Sequence, residues 1–320
     1  MNLALRRFGS VILAAPAVQQ AQELATGKRF DLIVANEARA LPLAHALAAE
    51  STPKTPVWGD MHEWAPEERA HVLSWKLLVK PFMTHVCKVY VPQTDALTAV
   101  NGSIGALYDR EFGGTARTVR NAAAHQPLEP SAMKDGVIRL AHSGAAVPGR
   151  NLEGMIQAAI ALGDGYTLDL YLVKARDGGK YWNHLREITS GNSRITFHEA
   201  VAPTELAQTL NHYDIGVFSL PPQTTNHRLM LPNKFFDFVQ ARLAIVFSPS
   251  PETSSLIEKF DLGRIANDYS PEALVAAVRS MTREDVQRFK NNSHKSAGAL
   301  SSEEDEQVER TILRELLTNA

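Results

Sequence analysis

Short apolar runs alternate with longer segments of helical spacing along almost the whole chain. FDLIVAN (30–36) predicts a buried strand, EARALPLAHALAAE (37–50) a helix and TPVWGD (55–60) a second strand. Residues 66–86 predict a helix broken or kinked near Pro81, because a ring inside a helix removes a donor and clashes with the preceding turn. KVYVPQ (88–93) reads as a strand, 94–113 as a helical stretch interrupted by glycines, and ARTVRNA (116–122) as a strand. Residues 123–136 break the rhythm with two prolines and a closing Lys-Asp-Gly, the composition of a linker.

The alternation then restarts. VIRLAHSG (137–144), LDLYLV (168–173), RITFHEAV (194–201), DIGVFSL (214–220) and AIVFS (244–248) predict strands. Between and after them, 151–163, 203–213, 250–260 and 271–281 carry helical spacing. Ser250 is placed to cap its helix, and Pro203 and Pro251 fall in first turns. The tail 301–317 opens on acidic residues and turns amphipathic, as a helix complementing its own dipole would. Apolar strands separated by helices predict parallel sheets covered on both faces. The expected architecture is therefore α/β, with two doubly wound halves facing a cleft. Residues 1–133 form the first domain, 134–300 the second, and 301–320 a C-terminal helix packing back on the first.

Composition narrows the function. The chain has 320 residues, 44% hydrophobic and 21% charged, with a net charge of −2, so no global basic field argues for nucleic acid. Cys87 is the only cysteine, which excludes an intrachain disulfide or a cysteine-built zinc site. The run VILAAPAV is short and holds Pro16, a poor secretion signal, and no stretch approaches the length of a spanning helix. A cytoplasmic chain is expected, with a peripheral contact to the cytoplasmic membrane as an open question. Trp75, Lys76, Lys80, Phe82 and Met83 either dock a leaflet or belong to a helix packed on its own sheet.

In open α/β sheets ligands sit beyond the carboxyl ends of the strands, so the chemistry is sought in the following loops. The segment RLMLPNKFFDFVQA (228–241) is the most informative one. Pro232 fixes the first helical turn, and Asn233 and Lys234 follow at the positive end of the helix dipole. A lysine there is badly placed for stability and well placed for binding an anion, phosphate above all. Asp237 either pairs with Lys234 or accepts hydrogen bonds from a ligand hydroxyl. The plain alternative is a core helix with a solvated Lys–Asp pair. Lys174 and Lys180, in VKARDGGK, are either further phosphate contacts or parts of a polar loop.

LPNKFFDFVQARLAIVFSPSPE resembles the nucleotide-sugar-binding domain of retaining, family 4-like glycosyltransferases of the GT-B fold, of the capsular and surface polysaccharide type. HSG (142–144) with Arg150-Asn151-Leu152-Glu153, NHYDIGVFSL (211–220) and DMHEW (60–64) are similar to further pieces of that family in the expected order. The resemblance covers about 137–280 well and 31–125 more weakly. It implies two Rossmann-like domains and a UDP- or GDP-type sugar as donor substrate, with no separate cofactor and no metal. The other partner is a glycan or lipid-linked acceptor. It further implies that Gly144, Arg150, Asn233 and Lys234 surround the diphosphate, and that Asp237 takes the ribose. Asn226 and His227 would lie near the donor sugar, and His62 would face it from the acceptor side. Arg150, Lys234 and His62 are then the candidate catalytic groups, stabilising the leaving group and holding the substrates in line.

The chain departs from the pattern in three ways. The usual first strand and glycine-rich loop look absent or shortened before FDLIVAN, Leu229 stands where an acid is usual, and the second acid is the shorter Asp237. These departures keep open a non-catalytic nucleotide-sugar-binding subunit or regulator as an alternative to a hexosyltransferase-like enzyme.

Overall fold

The computed structural model describes residues 3–318, which divide into two compact units. Unit 1 comprises 1–121, 222–229 and 305–320; unit 2 comprises 122–221 and 230–304.

Unit 1 is built on a four-stranded parallel sheet in the order β1 (Ile33–Asn36), β2 (Val57–Met61), β3 (Ala96–Ala99), β4 (Ala116–Thr118). Helices at Leu41–Ala48, Lys80–Tyr90 and Gly102–Phe112 pack a core containing Leu41, Met61, Met83, Leu97, Ile104 and Tyr108. Among the described residues no strand precedes β1; two helices, Gly9–Ile12 and Pro16–Ala25, stand there. The helix Ser302–Thr318 lays Ile312 and Leu316 against Trp58, and Asp305 accepts from the backbone and guanidinium of Arg120 at 2.9–3.1 Å.

Three expectations in unit 1 need correction, one being that 94–113 is helical throughout: it holds β3 (Ala96–Ala99), and its helix begins only at Gly102. KVYVPQ is not a strand: 80–90 is one α-helix and 91–93 a 3-10 turn. Met83, Val86, Cys87 and Val91 are spaced three and four apart and all are buried, so the helical face outweighs the β-branched alternation of a short run. The strand is ALTA, eight residues on. Asp95 accepts from the Val57 backbone at 2.8 Å at its start, and Asn101 caps the next helix through Ile104 N at 2.8 Å. The helix expected over 66–86 is also divided. A 3-10 turn occupies Ala65–Glu67, a π-helical turn Trp75–Val79, and the α-helix begins at Lys80. Residues 73–90 are one helical run in which the π turn passes into the α-helix at Lys80, so the irregularity lies just before Pro81, where a break or kink was expected.

Unit 2 holds a six-stranded parallel sheet ordered β10-β9-β8-β5-β6-β7. Its strands are β5 (Ile138–Ala146), β6 (Tyr166–Lys174), β7 (Ile195–His198), β8 (Ile215–Phe218), β9 (Ala244–Phe247) and β10 (Gly263–Ile265). Alternation along the strands makes two cores. Leu140, Leu168, Leu170, Val217 and Val246 face one layer of helices, while Ala141, Phe218, Ile245 and Phe247 face the other. The second layer contains the helix Asn233–Gln240, whose Phe235, Phe236, Phe238 and Val239 are all buried. It lies unusually close to β8: a Cβ on Gly216 would meet the Phe238 ring at 2.3 Å. The irregular segment 123–136 is pinned to unit 2 by the buried Arg242, which donates to the carbonyls of Gln126 and Leu128 at 2.5 and 3.0 Å.

Candidate functional site

The carboxyl end of β5 and the start of the Asn233–Gln240 helix meet in unit 2. Pro232 sits at the cap position and Asn233 is the first helical residue, one place later than the sequence suggested. No side chain caps this helix start; Phe235 N donates to Pro232 O at 2.9 Å, which leaves the N–H groups of Asn233 and Lys234 for a ligand or water. Lys234 folds across Gly144: a Cβ there would come within 2.7 Å of the lysine Cε and 2.9 Å of Nζ. Gly144 has φ +153, a conformation that side chains rarely adopt, so the residue is needed twice over, for its backbone and for the space.

The surroundings of Lys234 do not neutralise it. Its Nζ lies 5.6 Å from the centre of the Phe218 ring. Among the described residues the Lys234 and Asp237 side chains share no ion pair or hydrogen bond with each other or with any other group. The solvated Lys–Asp pair is therefore not what is built here. Burial, then the charge of Arg150, pulls the Lys234 pKa down to about 8, with Asp237 opposing. Burial pushes Asp237 up to about 6 against the pull of Lys234.

His142 lies beneath. Its Nδ1 donates to the Val217 carbonyl at 2.9 Å, and its ring stacks on Phe218 at 6.1 Å. Burial, then Lys234, drives its pKa to about 3, so the ring is neutral and its Nε2 keeps a lone pair. Arg150 is exposed on the turn after β5, beside Gly149 at φ +84, and makes no side-chain hydrogen bond or ion pair among the described residues. Asn151, at φ +53, fixes that turn by donating to Ser219 Oγ at 2.9 Å and Tyr269 O at 3.1 Å. The result is two cations without ion pairs, a glycine over which one of them lies, and a helix start without a side-chain cap: the chemistry that holds a phosphate or diphosphate.

The expected residues are divided between the two units. Gly144, Arg150, Asn233, Lys234 and Asp237 share unit 2, whereas His62, Asn226 and His227 belong to unit 1. In unit 1, Asp60 at the end of β2 accepts from Thr98 Oγ1 at 2.7 Å and lies 2.9 Å from His62 Nε2. Burial raises the Asp60 pKa, but the hydrogen bonds from His62 and Thr98 outweigh it and hold the carboxyl below its ordinary range. The same hydrogen bond raises His62. His62 is exposed.

Asn226 is committed to Trp64 and Glu63. It accepts from Trp64 N at 2.6 Å and donates to Trp64 O and Glu63 Oε2, each at 3.3 Å. Thr225 bonds Glu67, Asn101 donates to Leu229 O at 2.9 Å, and Leu229 packs against the unit 1 core. His227 closes a short turn capped by Thr224. The residue standing where the resemblance has an acid is thus used as an apolar anchor.

Three groups that the sequence reading gave no role stand out by their packing or conformation. His142 and Asn151 lay inside quoted motifs, but only the packing shows what each does. Glu37 follows β1 at φ +70, and burial lifts its pKa to about 7. With Arg39, Glu63 and Glu68 it lines a recess of about 230 Å³ in unit 1. Lys180 begins the helix Lys180–Ile188, and Lys174 lies over the Trp182 ring at 4.4 Å and 3.3 Å from Glu199; neither joins the Lys234 site. Among the described residues no group of three or more His, Cys, Asp or Glu is placed to hold a metal ion.

In sequence, no family model and no curated protein matches the chain. In structure the matches are extensive. Anabaena HepE, solved in complex with UDP and glucose, gives a TM-score of 0.71 at 15% identity, covering 95% of this chain and 83% of that one. Sucrose-phosphate synthase from Thermosynechococcus elongatus gives 0.75 at 13% identity, over 94% and 77% of the two chains. The chain has the GT-B fold. A glycosyltransferase from Rickettsia africae shares this GT-B architecture at a TM-score of 0.73 and 10% identity, over 96% and 83%. Among the described residues no helix is long and apolar enough to cross a membrane.

Proposed function

We propose that the protein is a glycosyltransferase that takes a sugar from a nucleoside-diphosphate donor and delivers it to a hydroxyl of a glycan or lipid-linked acceptor, with retention and without a metal. One observation carries the reading. Lys234, held over Gly144, is a half-buried cation whose pKa has fallen to about 8 through burial and then the charge of Arg150, which Asp237 only partly offsets. A diphosphate supplies the remaining counter-charge. The uncapped helix start adds N–H donors, and Asp237, one turn on, offers an acceptor to a ribose hydroxyl. Charge growing on the leaving diphosphate is then stabilised by groups already in place, the arrangement that lowers a barrier most effectively. The structural neighbour solved with UDP and glucose supports a uridine or related diphosphate as donor handle.

On the acceptor side, the Asp60–His62 pair and Glu37, with a pKa near 7, are suited to orienting hydroxyls and relaying a proton. A second reading, a nucleotide-sugar-binding protein without turnover, is favoured by Leu229, which packs into unit 1 where the resemblance has an acid.

Thermal shifts with UDP, GDP, ADP and dTDP test the common part. Ligand at ~100 times its dissociation constant stabilises by about 2.7 kcal/mol. One diphosphate is expected to stabilise wild type and not Lys234→Ala; no stabilisation by any of them in a well-folded protein refutes both readings. Incubation with the matching sugar donors then separates them: release of nucleoside diphosphate with a glycosylated product means turnover, and binding without release means the second reading.

A further inference from the structure

Residues 69–94 contain Arg69, Lys76, Lys80 and Lys88 and no acid, and residues 1–22 contain Arg6 and Arg7 and again no acid. The two stretches meet in unit 1, where the Phe8 ring lies 5.8 Å from Phe82 and 5.2 Å from His85. Between the 3-10 turn at Ala65–Glu67 and the helix at Lys80, the chain turns three leucines outward. Leu73 is 69% exposed, Leu77 63% and Leu78 37%, and Leu5 in the N-terminal stretch is 54% exposed. Trp75 and Met83, by contrast, are buried, so the apolar face looking outward is leucine and not the aromatic stripe read from the sequence.

Nearby acids are already engaged: Glu67 binds Lys80 and Thr225, and Glu68 binds Arg39 at 2.6 Å. Lys76, Arg69 and Arg6 are exposed and make no ion pair among the described residues. The π-helical turn Trp75–Val79 carries Lys76, Leu77 and Leu78 side by side. A π turn is rare and recurs at functional positions.

We propose that this face, centred on Leu73, Lys76 and Leu77, docks on an anionic lipid bilayer. Exposed leucines among unpaired cations, with no free acid in either stretch, match a surface that is apolar beneath and negative above. A protein partner with an acidic apolar groove or a second copy of the chain would be recognised differently, and the test separates them. The inference stands independently of nucleotide binding.

The full chain is sedimented with vesicles of neutral phosphatidylcholine and with vesicles carrying ~30 mol % phosphatidylglycerol. Wild type is expected to partition roughly tenfold more strongly onto the anionic vesicles, and the difference to shrink as salt rises from ~0.05 to ~0.5 M. Leu73→Asp/Leu77→Asp, changes at exposed positions, should lose roughly tenfold in partitioning with an unchanged thermal melt. Lys76→Glu, which leaves the leucines, should weaken anionic binding and steepen no neutral binding. The proposal fails if wild type ignores anionic vesicles, if neutral and anionic vesicles bind alike, or if the double variant binds as wild type. It fails equally if the leucine changes dissolve a wild-type dimer in sedimentation equilibrium while leaving vesicle binding intact.

Discussion

Replacing Lys234 with methionine should stabilise the ligand-free protein while abolishing diphosphate binding. Burial and Arg150 bring the ammonium from its ordinary 10.5 to about 8. At ~1.4 kcal/mol per pH unit, holding the charge in the folded state at neutral pH costs about 3 kcal/mol. Methionine keeps the length of the chain over Gly144 and removes the charge. Part of the gain is lost with the lysine's position near the Phe218 ring, worth ~0.5–1 kcal/mol. Part is lost because Asp237 then has no cation near it. That second loss is limited, since Asp237 already titrates near 6 and protonates further when left alone. A net gain of about 1–2 kcal/mol remains, read as a rise of roughly 2–8 °C in the calorimetric transition of unit 2.

The pH dependence gives an independent check. Between 8 and 10.5 the unfolded wild-type chain holds a proton on Lys234 that the folded chain has released, so wild-type stability rises with pH across that window. The methionine variant lacks this rise, and the two proteins converge at its upper end. A variant that is less stable than wild type at neutral pH by more than ~1 kcal/mol, with parallel pH curves, would show that the ammonium is already satisfied in the free protein. The anion-site argument would then fall.

Other consequences follow from the same geometry. Diphosphate affinity should fall as pH rises above about 8, by up to tenfold per pH unit, because the bound state needs the proton that free Lys234 releases; Lys234→Arg should flatten that profile in a calorimetric titration. Gly144→Ala places a Cβ within 2.7 Å of Lys234 Cε, and is expected to displace the lysine and weaken diphosphate binding by roughly tenfold or more with the fold retained, checked by titration and circular dichroism. Asn226→Ala leaves Trp64 N without its 2.6 Å acceptor and should lower the unit 1 transition by about 1–3 kcal/mol in denaturant melts without changing diphosphate affinity.

Much of this architecture is legible in the residue pattern because most strands lie inside a sheet covered on both sides. VIRLAHSG, LDLYLV, DIGVFSL and AIVFS each announce a buried strand, and their observed spans lie within or around those runs. The pattern misleads where helix and strand compete on equal terms: KVYV suits a strand locally, but Met83, Val86 and Cys87 before it already commit the chain to a helical face. Further elements escape the pattern altogether, among them Lys180–Ile188, β10, Arg283–Ser296 and Pro16–Ala25. The first has a very polar helical face and β10 is three residues long. In the third, the buried Lys290 reaches the Tyr213 carbonyl at 2.7 Å, a contact that only the folded chain reveals.

The site divides in the same way. PNKFFD shows its chemistry in sequence because a cation at a helix start is anomalous wherever it occurs. The roles of His142 and Glu37 depend on burial and on a positive φ, and neither is written in residue type. Asn226 illustrates the reverse: its type fits a ligand pocket, but the folded chain spends its amide on Trp64.

The measurement that bears most directly on this account is a calorimetric titration of the purified chain with UDP, and with GDP, ADP and dTDP in turn, repeated with the corresponding nucleosides. The account predicts that one diphosphate binds at a single site, that its nucleoside binds at least roughly tenfold more weakly, and that Lys234→Met removes the difference between the two. A diphosphate that binds no better than its nucleoside, or that binds Lys234→Met as tightly as wild type, would contradict it.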